Sequence, residues 1–294
     1  MGHPMAETSS TSAGTSGATR RRPSKRAYLL ITLFALLLVL IPFLFWYLTW
    51  FGRKLTGPEI DSYLAERSKP RHAQHSLVQI GERMSRHDPG VERWYPAVVE
   101  LADSPLIELR QTSAWIMGQD HNYAPFHEAL LKLLRDPQPM VRRNAALALA
   151  NFGDGAARPE LLEMLRPYTI VSEKPGTVRY RLKLGEYVNP GTLVAHVGSA
   201  EVRAPLPGEV LELTRRDGAT AAAGDPLAEV SADKEHAWEA LRALWGVGEP
   251  EDIEAVQRYA RGVPGMPERL QEQAMLTLQA IQARQAQGAK QGLP

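Results

Sequence analysis

Cysteine is absent from the 294 residues. That absence removes disulfide frameworks, thiolate zinc sites, iron–sulfur clusters and cysteine nucleophiles together. The common catalytic signatures are missing as well. Gly246-Val247-Gly248 lacks the further glycine a phosphate cradle needs, and neither a G-x-S-x-G elbow nor an H-E-x-x-H pair occurs. His72 and His75 sit in a basic stretch with no third ligand in view, and His121 and His127 have no carboxylate partner that the sequence can name. A basic excess is also lacking. Residues 1–26 hold Arg20, Arg21, Arg22, Lys25 and Arg26 against Glu7, so they carry +4 of a net +1 and leave the remainder at −3. A mildly acidic body argues against a nucleic-acid groove. No catalytic, cofactor-binding or metal-binding residue is assigned, no cofactor is implied, and neither enzymatic activity nor a small-molecule substrate is expected.

What is present begins with a small, polar stretch over residues 1–19, which has nothing to bury and is read as disordered. Ala27 to Phe51 then contains no charge, with Trp46, Tyr47 and Trp50 crowded at its far end. Such a run reads as a membrane-spanning helix kinked at Pro42, with its aromatic rings at the headgroup layer. Gly52-Arg53-Lys54 follows rather than a small-residue cleavage site, so an uncleaved anchor is expected. The basic residues before the run outnumber Arg53 and Lys54 after it. This places the tail in the cytoplasm and the body outside the inner membrane of a bacterium.

From residue 76 to 167 apolar residues recur at helical spacing, and the pattern repeats at about 32 residues. Leu109, Ala114 and Met117 lie over Val141, Ala146 and Leu149, and Leu130 with Leu133 over Leu162 with Leu165. The alanines mark places where a neighbouring helix must approach closely, and Gly153-Asp154 supplies a break. Asp136-Pro137, then Val141-Arg142-Arg143-Asn144-Ala145-Ala146-Leu147-Ala148-Leu149, closing in Phe152-Gly153-Asp154, resembles a HEAT repeat. The same signature returns at His236–Leu244, and Leu270–Ile281 gives a weaker copy.

Tyr168 to Val230 breaks the helical pattern and is rich in glycine, proline and valine, which reads as short strands and turns. It is internally duplicated. Pro175-Gly176-Thr177-Val178 lies over Pro207-Gly208-Glu209-Val210, and Gly185, Gly191 and Val197 lie over Gly218, Gly224 and Val230. Two halves, each too small to bury a face alone, read as interlocked sheets. With Gly185-Glu186-Tyr187-Val188-Asn189-Pro190-Gly191 and Glu201-Val202-Arg203-Ala204-Pro205, the segment resembles the biotinyl/lipoyl domain, a barrel-sandwich hybrid. Modified members of that family carry their prosthetic group on a lysine at the hairpin joining the halves. Here Val194 to Val202 contains none, and the insert's lysines are Lys174 and Lys183, both far from that hairpin in sequence. The resemblance therefore implies an unmodified module.

The expected fold class is multidomain α + β: one transmembrane helix, then an α-helical HEAT-type solenoid interrupted by a small all-β barrel-sandwich hybrid. The expected divisions are a disordered tail (1–26), the span (27–51), a linker (52–75), repeats (76–167), the β insert (168–231), further repeats (232–284) and a disordered end (285–294). The function expected is a membrane-anchored, non-catalytic scaffold or accessory subunit with protein partners, in a membrane complex, and the lipid bilayer as a further partner. The alternatives are a biotin- or lipoyl-type carrier using Lys174 or Lys183, a membrane-fusion-type transport adaptor, and an enzyme akin to the HEAT-containing bilin lyases.

Overall fold

The computed structural model describes residues 25–46, 53–66 and 68–291, in two units divided after Lys54. In the first unit a helix, α1, spans Lys25–Trp46 with Pro42 inside it. It opens on two charged residues, and its side chains from Leu29 to Phe45 are all exposed. Among the described residues no helix is long and apolar enough to cross a membrane. The expected span over 27–51 is therefore corrected, and with it the transmembrane part of the fold class, the bilayer as a partner and the single-pass inner-membrane placement. Residues 1–24 of the expected tail, and Tyr47 and Trp50 of the expected aromatic belt, lie outside the described residues.

The second unit is built of helical hairpins. Two helices begin within 52–75, where a linker is expected: α2 (Gly57–Ala65) and α3 (Pro70–Ser85), each with proline in its first turn. Proline is at home there because its missing N–H would have had no helical partner. Ile60, Leu77 and Ile80 bury completely and seal this first pair. Next come α4 (Tyr95–Leu101) with α5 (Ile107–Met117), and α6 (Ala124–Leu133) with α7 (Pro139–Asn151). After α8 (Arg158–Glu163) the chain leaves the stack, returning as α9 (Lys234–Val247), which packs on both α8 and α7. A last pair follows, α10 (Ile253–Ala260) and α11 (Glu268–Gln291), the latter running past residue 284, where a disordered end was expected. The second helices α3, α5, α7, α9 and α11 form one continuous layer, each packed on the next.

The repeat spacing fixes this core. Leu109, Ala114 and Met117 of α5 and Val141, Ala146 and Leu149 of α7 are all buried, each pair set at corresponding turns. Alanine at 114 and 146 lets successive second helices approach without a side chain between them, while the longer residues fill the space towards the first helices.

The excursion between α8 and α9 holds eight strands: β1 (Tyr168–Val171), β2 (Gly176–Tyr180), β3 (Tyr187–Val188), β4 (Leu193–Val197), β5 (Ala200–Arg203), β6 (Gly208–Leu213), β7 (Thr220–Ala221) and β8 (Pro226–Val230). They form two four-stranded antiparallel sheets, ordered β1-β8-β6-β3 and β5-β4-β2-β7. Exchanging the first four strands for the last four converts one order into the other. Each sheet thus takes strands from both halves, and neither half holds a complete sheet. The shared core contains Val178, Val188, Val194, Val210, Leu227 and Val230. At Gly176 a Cβ would lie 2.7 Å from the backbone nitrogen of Gly198, so the β1–β2 turn sits directly on the β4–β5 hairpin.

Leu149 is fully buried in α7, the helix that packs on α5, α6, α8 and α9. Leu149→Ala is expected to lower stability by about 2–5 kcal/mol, read from urea denaturation of the full chain.

Candidate interaction surface

The strongest candidate surface lies on the outward side of the second-helix layer. Trp115 of α5 and Trp245 of α9 are 48% and 55% exposed, and α7 runs between them, presenting Asn144, Leu147 and Asn151. With Glu239 and Arg242 these residues line a groove of about 360 Å³. Trp115 is held by a close approach to α3, where a Cβ at Gly81 would meet its ring at 2.8 Å. The two asparagines are fixed as well: Asn144 donates from Nδ2 to the carbonyl of Gln111 and Asn151 to that of Gly118, each at 3.1 Å. Their amide oxygens are left as acceptors between two large aromatic faces. Exposed tryptophans flanking a polar strip are what protein interfaces use as anchors.

A larger depression of about 1070 Å³ opens among the inter-repeat turns, and Arg110 and Asp136 in its lining are paired with each other. Arg110 donates from Nε and Nη2 to both oxygens of Asp136, at 2.6 and 3.0 Å, and from Nη1 to the carbonyl of Ser104. Asp136 also accepts from the backbone nitrogen of Gln138. Burial raises its carboxyl, but these bonds outweigh burial and hold it below the usual carboxylate range. Arg142, one repeat on, likewise reaches back to the carbonyl of Asp136, but its carboxylate partner is Glu160. The position one period beyond Asp136 is Tyr168, where β1 begins. The excursion has thus replaced the turn that would have carried the next acid.

Where the β module leaves the stack, a polar cluster centred on buried Arg143 and Asp233 ties the two together. Asp233 begins α9 and accepts from the backbone nitrogen of His236 at 3.0 Å, while the Tyr187 hydroxyl donates to its other oxygen at 2.6 Å. His236 Nδ1 lies 3.2 Å from Asp233 and 3.5 Å from Arg143 Nη1. Arg143 is 3% exposed and its Nε lacks a hydrogen-bond partner. Burial pushes its pKa down against the fields of Glu160, Tyr168 and Asp233. Tyr168 donates to the carbonyl of Leu206, and burial drives its hydroxyl well above the ordinary tyrosine value. Burial, then the bond to Asp233, pushes Tyr187 up to about 12. Burial also raises Asp233, but the bonds from His236 and Tyr187 prevail and hold it far below the ordinary aspartate value.

Of the four histidines weighed in the sequence, His72 and His75 lie against one ring, Tyr63, and His121 and His127 against another, Phe152. His72 stacks on Tyr63 at 4.1 Å and pairs with Glu66, while His127 pairs with Asp154 at 2.7 Å. Among the described residues no group of three ligating side chains gathers. Lys174 and Lys183 are both exposed. Lys174 lies far from the β4–β5 hairpin in sequence, yet the Pro175-Gly176 turn that rests on Gly198 follows it directly. The tryptophan groove and the Asp233 cluster were not foreseen. Trp115 and Trp245 interrupt helical stretches otherwise read as repeat core, which was the available signal.

A carboxylate held below its ordinary pKa stabilises the fold above that ordinary value, and the contribution is lost as pH falls through the folded one. Asp233→Asn is therefore expected to cost about 1–3 kcal/mol at pH 7 and progressively less as the pH drops below about 4, measured by urea denaturation across pH.

Residues 95–173 match the family model of HEAT repeats, a stretch running from the start of α4 to just past β1. Among solved structures, the crystal structure of an engineered protein is similar at 15% identity and a TM-score of 0.41, over 76% of this chain and 79% of that one. No curated protein matches the chain. Over residues 95–173, then, the sequence has the HEAT-repeat pattern that the Asp136–Leu149 unit resembled.

Proposed function

We propose that this chain is a non-catalytic scaffold that holds a protein partner on the outward face of its second-helix layer, with the β module as a second docking element. The observation that carries this reading is the groove across α5, α7 and α9, with Trp115 and Trp245 exposed on either side of Leu147. HEAT repeats over residues 95–173 fit such a role, since stacked helical hairpins offer long continuous surfaces. Absence of enzymatic activity is part of the proposal. Its support is that the paired side chains described above cap helices or tie repeats together.

The β module is read as a biotinyl/lipoyl-like domain without its prosthetic group. Two four-stranded sheets sharing strands between halves support the likeness, and the lysine-free hairpin at Gly198-Ser199 supports the unmodified state. The carrier alternative has one observation in its favour, the exposed Lys174 beside the turn that rests on this hairpin.

Affinity capture with cross-linking from the native cell, comparing wild type with Trp115→Ala/Trp245→Ala, tests the scaffold reading. A partner is expected to cross-link to the groove and to be lost at least tenfold in the double variant, with the thermal midpoint of the chain little changed because both rings are half exposed. Equal recovery of every protein by both forms overturns it. The intact mass of native protein is expected to equal that of its residues over the β module, and a biotinyl or lipoyl increment on Lys174 overturns the unmodified reading.

A further inference from the structure

The exchange relation between the two sheets gives the β module two outer faces of the same architecture, and their charges are opposite. On the β5-β4-β2-β7 sheet, Arg179 and Arg181 point outward on either side of half-buried Tyr180, and β2 pairs Arg179 with His196 of β4. His196 is in turn opposite Glu201 on β5, whose carboxylate is held by Arg203 at 2.7 Å. Neither Arg179 nor Arg181 has a carboxylate within salt-bridge distance among the described residues, so the face presents two unspent guanidinium groups beside a histidine.

On the β1-β8-β6-β3 sheet the outward positions carry Glu209 and Glu212 of β6 and Glu229 of β8. Glu212 lies opposite Glu229 in the register, and Leu211 and Val171 are exposed beside them. These three carboxylates likewise have no cationic partner within salt-bridge distance among the described residues. The correspondence is close in sequence as well. His196 of the basic face aligns with Glu229 of the acidic one, and Thr177 with Glu209, in the internal duplication.

We infer that the basic face of one β module docks on the acidic face of the module of a second copy, a head-to-tail contact. Arg179 and Arg181 stand two residues apart, about 6.6–6.8 Å along the chain, while the irregularity between Val210 and Glu212 sets Glu212 beside Glu229, so the guanidinium pair faces a cluster of carboxylates. The occupant follows from the charges themselves. Glu201 and Asp217 interrupt the basic face, which disfavours a continuous polyanion such as nucleic acid. The same molecule also presents three discrete carboxylates, Glu209, Glu212 and Glu229, on its other sheet. Because the two surfaces differ, the contact is heterologous and does not close on itself in a dimer, leaving one free face at each end. Exposed ion pairs each add little, so the association is weak and salt-sensitive. It does not depend on the tryptophan groove.

The test is sedimentation velocity of the full chain at about 0.05 M and about 0.5 M salt, spanning the range over which screening of exposed charges becomes strong. A non-ionic detergent is kept throughout to shield the exposed apolar side chains of α1. Wild type is expected to shift to larger species with concentration at low salt, with the association constant falling about tenfold or more at high salt. Arg179→Glu/Arg181→Glu and Glu209→Lys/Glu212→Lys are each expected to abolish this shift alone, and an equimolar mixture of the two to restore it. All four positions are exposed, so folding is unaffected and is checked by matching circular dichroism. A wild type that stays monomeric at low salt overturns the inference, as does self-association that either double variant retains, or a mixture that fails to associate.

Discussion

Helices α8 and α9 form one hairpin of the stack although eight strands are threaded between them, and much of the molecule answers to that requirement. Two helices pack with axes roughly 8–10 Å apart, so the entry and exit of the β module must come equally close. Domain insertion is tolerated where the ends of the inserted unit lie together. Here β1 and β8 are hydrogen-bonded neighbours, with Tyr168 opposite Val230, and the first and last strands of the module deliver the chain where the hairpin needs it. The sheet order and the helical repeat are therefore mutually dependent.

The junction is polar, and its energetics differ from those of the two cores it joins. Leu206 and Ala232 are buried there without belonging to either apolar cluster, while Arg143, Tyr168, Tyr187, Asp233 and His236 supply the contacts. Buried polar groups contribute little net stability when satisfied and cost much when broken, so such a cluster specifies one orientation rather than adding strength. Arg143 occupies the place of Gln111 one period earlier, where no module has to be held. An arginine at a core position of a repeat is thus explained by what leaves the stack beside it.

The helical core was legible in the sequence because it rests on one local rule repeated. Residues 109, 114 and 117 and residues 141, 146 and 149 carry the same spacing and all bury. The duplication of the β segment was equally visible, since glycines and valines recur at fixed offsets. Less legible were the two helices placed over 57–65 and 70–85. The stretch from Glu66 to His75 is dominated by charge and histidine, and the residue it buries in the apolar core is Ala73. The apolar run after residue 26 invited a spanning helix on composition, yet among the described residues no helix meets the length and apolarity required. The surface readings were the hardest. An exposed tryptophan and a buried one are the same letter at the same period, and an arginine's partner on another strand is set by register, which no single strand encodes.

The exchange of strands between the halves of the β module bears on synthesis. As the chain emerges from the ribosome, the hairpins of α2 to α7 have one another within reach and are free to settle in order. β1 to β4 must wait, because every sheet they enter also needs strands not yet made, and α8 must wait longer still for α9. At roughly 5–20 residues per second this leaves the edge of the half-finished stack uncovered for several seconds. The exposed flank of α7 and the lone α8 are then the surfaces on which a nascent-chain chaperone has most to protect.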